Sequence, residues 1–452
     1  MPIKLVSSAL ETLRSNIEGT VFTPEEHGYV EACQAWDLTV EQQPALVVTI
    51  ANAKDAMAAV NFARRQGLKI SIQSTGHGII SPSKGGLLIN TSGMKGIKID
   101  SQTQTALVEA GVRWNDVIQA AQTHNLATLS GYASNVGVVG YTLGGGIGWL
   151  VRKYGPACDS IRNIHLVTAD GQMLQVSKNS NSKLFWALRG GGSSFGIVTS
   201  IEFDLYPVVD IYGGQLFYPA EMARKVLNLY SDWVEKVPDE LTSAIALMQI
   251  PPEVPVANEL RGKPAVVLSV CYLGDEKQGA ELLRPFRELE PLLDRLESMQ
   301  FKDIGKIHND PHEPQHTYGH CGLLKSLSPD VIDRLVDLAG AGSDSPLQMV
   351  ELRHLQGAMA HNSGHESALI DRDAAFLLQV QSVLTTPEQT TEVKQYTASL
   401  AEMMRPYETG GVFPNFRHRY GSNDPRRRAV SSQDSHNRLL NLKEKYDPQN
   451  LF

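Results

Sequence analysis

The stretch Ser74-Thr-Gly-His-Gly78 sets one histidine, His77, between two glycines. With no side chain at Gly76 or Gly78, backbone N–H groups can approach a bulky anion such as a pyrophosphate. The imidazole is then held beside that ligand, where it can react with it. Alone, so short a motif also fits an incidental histidine on a surface turn. Downstream, Val136-Gly-Val-Val-Gly-Tyr-Thr-Leu-Gly-Gly-Gly-Ile-Gly-Trp149 is the densest glycine run in the chain. Its spacing fits neither a G-x-G-x-x-G dinucleotide fingerprint nor a P-loop. We read it as a long loop lining an extended cofactor where side chains must be absent, the alternative being backbone packed on backbone. A third glycine-rich turn, Gly190-Gly-Gly-Ser-Ser-Phe-Gly196, leads into Ile197-Val-Thr199.

Two other patterns are decoys. His308, His312, His316 and His320 recur every fourth residue, the spacing that lines up ligands on a helix. Pro311 and Pro314 forbid a regular helix there, so an irregular loop near the substrate pocket is expected and no metal site. Ser71, Ser74 and Ser130 lack a G-x-S-x-G elbow, so hydrolase chemistry is unsupported.

These motifs are carried by elements the sequence announces. Pro44–Ile50 reads as a strand, Asn52–Gln66 as an amphipathic helix ended near Gly67, and Leu68–Ser74 as the strand feeding the His77 turn. Met94–Asp100 with Thr105–Ala110, and Ile164–Thr168 with Met173–Ser177 around Asp170-Gly171, read as hairpins. Pro207 marks an edge, after which glycine clusters vanish and helices alternate with strands. The resulting expectation is an α+β protein whose second unit is an antiparallel sheet covered by helices.

The chain has 452 residues, enough for two or three domains, and a net charge of −8. No basic block points to nucleic acid, and Arg426–Arg428 reads as a solvated loop. No apolar run reaches the roughly 18 residues of a spanning helix, and the N-terminus is not a signal peptide. Cys33, Cys158, Cys271 and Cys321 form no CxxC, which suits a reduced, cytoplasmic protein.

With these residues in hand, the chain resembles the vanillyl-alcohol oxidase/p-cresol methylhydroxylase (PCMH) superfamily, and within it the berberine-bridge-enzyme-like oxidases, a group that includes bacterial hydroxynicotine oxidases. The Ser74–Gly78 turn matches that family's Ser-Gly-Gly-His loop, with Thr75 in place of a glycine. The Val136–Trp149 run, Arg152-Lys-Tyr-Gly155 with Asp159, Phe185–Gly192, Phe195–Thr199 and Lys445–Phe452 match as well. The resemblance implies a two-domain flavoprotein. A PCMH-type FAD-binding domain spans 1–207, a substrate domain 208–409, and 410–452 returns to the flavin side. It implies FAD contacts at Ser74, Thr75, Gly76, His77, Gly78, Val136, Gly137, Gly140, Tyr141, Thr142, Gly144, Gly145, Gly146, Gly148, Trp149, Asp159, Gly196, Ile197, Val198 and Asn415. His77 matches the histidine bonded to the flavin. Ala133 stands where doubly linked members have a cysteine, so no cysteinyl link is expected.

The implied activity is oxidation of a CH–OH or CH–NH carbon of a small molecule, with hydride passing to FAD and dioxygen becoming hydrogen peroxide. Val136 stands where oxidases of the group carry a small, oxygen-permissive residue. A dehydrogenase using another acceptor, or a flavin-binding protein without turnover, are the alternatives. Near the C-terminus Phe413-Pro-Asn415 replaces the family's Tyr-x-Asn, which removes the usual phenolic base. Candidates to replace it are Glu351 and Arg353, two apart on one strand face, with Gln379, Gln381 and Tyr407, while Asn415 can donate a hydrogen bond to flavin or substrate but is not a base.

Overall fold

The computed structural model describes residues 7–250, 252, 260–361, 366–417 and 433–452. Arg426–Arg428 lie outside the described residues. Three sheets organise the chain. In the first, Leu46–Thr49 and Ile70–Gln73 both run parallel to Leu87–Asn90, and Thr20–Phe22 pairs antiparallel at the edge. Leu46, Val47, Val48, Leu87, Leu88 and Ile89 are wholly buried, because a parallel sheet is covered on both faces. The crossover is the helix Ala53–Gln66. Asn52 caps its N-terminus by accepting from the Lys54 and Asp55 N–H groups, and Gly67 ends it at φ 66°. The exposed edge of Ile70–Gln73 is met by the C-terminal residues. The Ile70 N–H donates to the Leu451 carbonyl at 2.7 Å, and Lys69 Nζ donates to the Gln449 carbonyl at 3.2 Å.

The second sheet is five-stranded and antiparallel, in the order Ile97–Asp100, Thr105–Glu109, Ile197–Asp204, Ile161–Val167, Met173–Ser177. Both expected hairpins are in it. The glycine run departs from expectation, since Val138–Leu143 is a short helix rather than loop. Val138, Val139 and Leu143 are buried, so an apolar face makes the turn helical while Gly137 and Gly144 bracket it.

The third sheet is antiparallel and eight-stranded. It runs Leu293–Asp294, Asp210–Pro219, Pro264–Tyr272, Leu241–Gln249, Met349–His354, Phe376–Val383, Thr317–Leu324, with Glu297–Gln300 also on Asp210–Pro219. Helices Ala223–Val234, Pro329–Ala339 and Pro387–Met404 cover one face, where Val226, Leu335, Leu352, Leu378 and Leu400 share a core. The strand period of 2 sends Val350 and Leu352 to that core and Glu351 and Arg353 to the opposite face. That opposite face meets the first two sheets, because Ala244, Cys271, Cys321 and Leu377 belong to the same core as Ile89 and Val138. Among the described residues no helix is long and apolar enough to cross a membrane.

Arg152 pins the halves together. From the helix Val151–Tyr154 it donates to the carbonyls of Leu241 (2.8 Å) and Leu355 (2.6 Å), to His354 Nε2 (3.0 Å) and to Asp239 (3.3 Å). Arg152→Ala removes the side-chain donor from the buried Leu241 and Leu355 carbonyls. We expect it to cost roughly 3 kcal/mol or more, read as a lower urea midpoint.

Candidate active site

The strand Ile70–Gln73 delivers its chain into the His77 turn. Gly76 sits at φ +79°, and a Cβ there would come 2.6 Å from Ala35 Cα, so only glycine fits. The neighbouring segment anchors the turn, with the Trp36 N–H donating to the Thr75 carbonyl at 3.1 Å. The Trp36 ring stacks on His77 at 4.6 Å and 14°. His77 Nδ1 is 2.8 Å from Thr75 Oγ1, while Nε2 is shielded from water and has no protein partner. Burial, helped by the Arg113 charge, pulls the His77 pKa down to about 4, so the ring is neutral at pH 7. A Cβ on Gly78 would meet nothing within 4 Å.

The glycine run packs directly on this turn, since a Cβ at Gly137 would lie 3.1 Å from Ser74 Oγ. Further along, what excludes side chains is protein. A Cβ at Gly144 would sit 2.5 Å from the Asn415 amide nitrogen, one at Gly145 2.9 Å from Leu369, and one at Gly146 2.6 Å from Ala157 and 2.7 Å from Tyr141. Gly145 and Gly146 also hold φ of +113° and +78°. Gly140, by contrast, has nothing within 4 Å of that position. Asn415 clamps the run, with Oδ1 accepting from the Gly146 N–H at 2.7 Å and Nδ2 donating to the Tyr141 carbonyl at 2.9 Å.

Several other expected cofactor residues are engaged with protein. Thr142 donates its hydroxyl to the Val138 carbonyl at 2.7 Å. Asp159 is paired with Arg189 and Arg372. Ile197 and Val198 are buried and laddered to Val167 and Leu166, with Gly196 close against the Val167 carbonyl. Val136 is half-buried, and its carbonyl accepts from the Trp114 N–H.

Five buried polar atoms on these elements nevertheless lack a protein partner: Ser74 Oγ, His77 Nε2, Ser130 Oγ, Tyr141 OH and Trp149 Nε1. Some are mutually close, because a Cβ at Gly148 would strike the Ser130 carbonyl and lie 3.0 Å from Tyr141 OH. Orphaned buried groups in such number are unusual. Hydroxyl, indole and imidazole groups of this kind suit the phosphate, ribityl and ring heteroatoms of FAD, so the residues present fit that group.

Across from them lies a polar row on the eight-stranded sheet. Glu351 stands directly opposite Gln379, and Gln379 opposite Cys321. Glu351 is wholly buried and accepts from Arg353 Nε at 2.5 Å and from His308 Nε2 at 2.9 Å. His308 Nδ1 donates to Asp310 at 2.7 Å. Burial alone would raise the Glu351 pKa, but Arg353 and His308 outweigh it and bring it to about 2. Burial alone would lower that of His308, but Asp310 and Glu351 raise it to about 10. His308 is therefore an imidazolium with both N–H groups donated, and Glu351 a carboxylate with both oxygens engaged. Such a carboxylate is a poor proton acceptor, which goes against the expected base role. Gln379 donates to Gln381 at 3.0 Å, while its own Oε1 is buried without a partner.

The two groups are joined by aromatic rings. The Arg353 guanidinium lies 3.9 Å over Tyr132, with Phe416 at 5.5 Å, and Tyr132 stacks on Trp149 at 3.8 Å and 3°. The Trp36 and Asn135 side chains both donate to the His312 carbonyl, so the segment with His308 also borders the His77 turn. Tyr407 is elsewhere. It packs against the helix-covered core, because it follows the helix Pro387–Met404 on that side. His320 is likewise on the helix side, paired with Glu408 at 2.9 Å, so the four histidines do not share a face. Phe413 is fully buried in the core. Sequence reasoning missed Trp36, Tyr132, Asp310 and the His308–Glu351 pair; His308 two residues before Asp310 in a proline-flanked loop was the available signal.

Residues 44–177 match the FAD binding domain family. An FAD-linked oxidoreductase of Dictyostelium discoideum is 29% identical over 97% of this chain and 94% of its own. The structure of berberine-bridge-enzyme-like protein 1 from Physcomitrella patens superposes with a TM-score of 0.85 at 21% identity, covering 98% of this chain and 97% of that one. The structure of 6-hydroxy-D-nicotine oxidase from Arthrobacter nicotinovorans does so at 0.85 and 22%, covering 99% and 98%.

Proposed function

Because this chain belongs to the berberine-bridge-enzyme-like FAD-linked oxidoreductases, we propose that it is an oxidase. It takes a hydride from a CH–NH or CH–OH carbon of a small molecule and passes the electrons to dioxygen, giving hydrogen peroxide. In this reading residues 1–207 and 410–452 hold FAD, linked through His77 alone, and 208–409 face the substrate. The observation that carries the reading is the stack Trp149–Tyr132–Arg353, which joins the orphaned atoms of the glycine-rich elements to the polar row of the large sheet.

FAD, when bound, supplies the hydride acceptor. The chain's own residues hold and orient. Ser74, Ser130, Tyr141 and Trp149 offer hydrogen bonds to the cofactor, and Asn415 keeps the run that carries Tyr141 in place. Gln379 Oε1 accepts an N–H or O–H of the substrate. Glu351, Arg353 and His308 supply fixed charge rather than proton transfer. That favours an amine, whose neutral form loses hydride without a base; an alcohol would need one.

The test is anaerobic mixing of the purified protein with secondary amines and matched alcohols. Amines should bleach the flavin, and readmitted oxygen should yield one peroxide per flavin. Bleaching without peroxide would mean a dehydrogenase, and no bleaching at all a binding protein. Val136→Ile is expected to slow reoxidation by oxygen about tenfold, equivalent to ~1.4 kcal/mol of barrier, with substrate reduction unchanged.

The glycines separate packing from cofactor contact. Gly145→Val forces a β-branched residue to φ +113° against Leu369, and is expected to cost about 1–3 kcal/mol or more in urea. Gly140→Ala meets no protein atom and should leave stability equal or higher. Its flavin content should fall, since the reading places cofactor over that position. Full occupancy would remove Gly140 from the cradle.

A further inference from the structure

We propose that the guanidinium of Arg353 binds a carboxylate of the substrate, so that the molecule oxidised is an amine carrying a carboxylate a few bonds from its nitrogen. This deepens the amine-oxidase reading above and rests on it. Arg353 is on the strand Met349–His354, and its side chain is 8% exposed. Its Nε donates to Glu351 Oε2 at 2.5 Å, and no other N–H of the fork meets an acceptor among the described residues. The side chains directly across on the neighbouring strands supply none, because they are Ala244 on one and Leu377 on the other. Nor does Glu351 call for more of the fork, since His308 Nε2 donates to its second oxygen at 2.9 Å.

The surroundings indicate which anion fits. The guanidinium lies 3.9 Å from the Tyr132 ring and 5.5 Å from that of Phe416. Neither ring belongs to the large sheet, so the fork reaches out of that sheet toward the glycine-rich elements. Buried N–H groups without acceptors are costly, and an arginine fork matches a carboxylate with two parallel hydrogen bonds. Flat rings beside the fork favour a planar carboxylate over a tetrahedral phosphate. The strand register places the amine end. Gln379 stands opposite Glu351, and Arg353 is two residues further along the same face. Such diagonal neighbours are roughly 7–8 Å apart at the backbone. With Gln379 Oε1 taking the substrate N–H, a carboxylate on Arg353 is only a few bonds from the nitrogen, as in an N-alkyl amino acid.

The experiment titrates the FAD-loaded protein with benzoate and with benzamide in a calorimeter. Benzoate should bind roughly 10²-fold tighter, the scale of two charge-assisted hydrogen bonds. Equal affinities would overturn the proposal. Arg353→Lys keeps a charge beside Glu351 but loses the planar fork. It should lower the preference for benzoate about tenfold, and an unchanged preference would overturn the role given to Arg353. A second measurement follows flavin bleaching without oxygen by N-methyl amino acids, each against its own carboxamide. Below saturation the acids should bleach about tenfold faster or more. Equal rates would overturn this substrate class while leaving amine oxidation intact. No bleaching by any of these amines, with benzoate still preferred, would overturn amine oxidation and this substrate class with it.

Discussion

Acid precipitation of His77→Ala protein is expected to leave essentially all of its FAD in the supernatant, whereas the parent chain should carry its flavin into the pellet. The argument is chemical. Among the residues of the turn, Ser74, Thr75, Gly76, His77 and Gly78, only the imidazole has a lone pair nucleophilic enough to make a stable bond to carbon. The structure holds that nitrogen neutral and unpartnered. Ala133 carries no thiol, so no second link is expected to replace the bond proposed at His77. The substitution should leave the fold intact, because His77 is only half-buried and the turn's backbone is held by the Trp36 and Asp37 N–H groups. Flavin in the pellet of the variant would point to another attachment residue, and flavin in the supernatant of the parent to a dissociable cofactor.

Glu351→Gln should act mainly on stability, and through pH. The carboxylate sits between Arg353 and His308, and its loss leaves the buried Arg353 without its carboxylate partner and His308 with Asp310 alone, for which a cost of about 3–5 kcal/mol is usual. The signs follow from the pKa shifts. The Glu351 pKa is depressed from 4.5 to about 2, so its contribution is present above pH 4.5 and is lost as pH falls toward 2. The His308 pKa is raised from 6.5 to about 10, so its contribution is full below pH 6.5 and is lost as pH rises toward 10. Their joint contribution is therefore greatest between pH 4.5 and 6.5. In the variant the acid limb due to Glu351 disappears. His308 keeps only Asp310, so its folded pKa falls and its alkaline loss is complete at a lower pH. Urea unfolding across pH measures both limbs. Anaerobic flavin reduction by an amine should keep its acidic limb, which belongs to the substrate ammonium. A rate loss of roughly 10²-fold with that limb gone would restore Glu351 as the base.

Local chemistry was legible in the sequence where one residue type dictates one geometry. Asn52 and Gly67 delimit their helix, Asp170-Gly171 turns its hairpin, and Gly76 marks a conformation that no other residue fits. Three strands of the large sheet were not legible. Asp210–Pro219 contains Gly213 and Gly214, and Thr317–Leu324 contains Gly319 and Gly322, residues that weaken strand propensity. Leu241–Gln249 puts the small Ala244 and Ala246 on the same face as Glu351 and Arg353, directly across from them, which blurs the alternation. At Gly322 the reason is distant, because the Glu408 carboxylate fills the place of its side chain. The same holds at the site. Glu351 was recognisable as a carboxylate beside an arginine, but the imidazolium that completes its engagement comes from 43 residues away. The glycines at 145 and 146 were recognisable as obligatory, but their neighbours Leu369 and Asn415 lie far along the chain.

The pairing of Ile70 with Leu451 has a consequence in time. The strand that delivers His77 finds its last edge partner across a separation of some 380 residues, the span also bridged from Lys69 to Gln449. Closing so long a loop is slow, and its entropic cost is met before the contact repays it. While the protein is being made, the turn, the glycine run and Trp36 leave the ribosome hundreds of residues ahead of the segment that seals their sheet. The edge of the strand that leads into the His77 turn therefore stays open until nearly all of the 452 residues have been made.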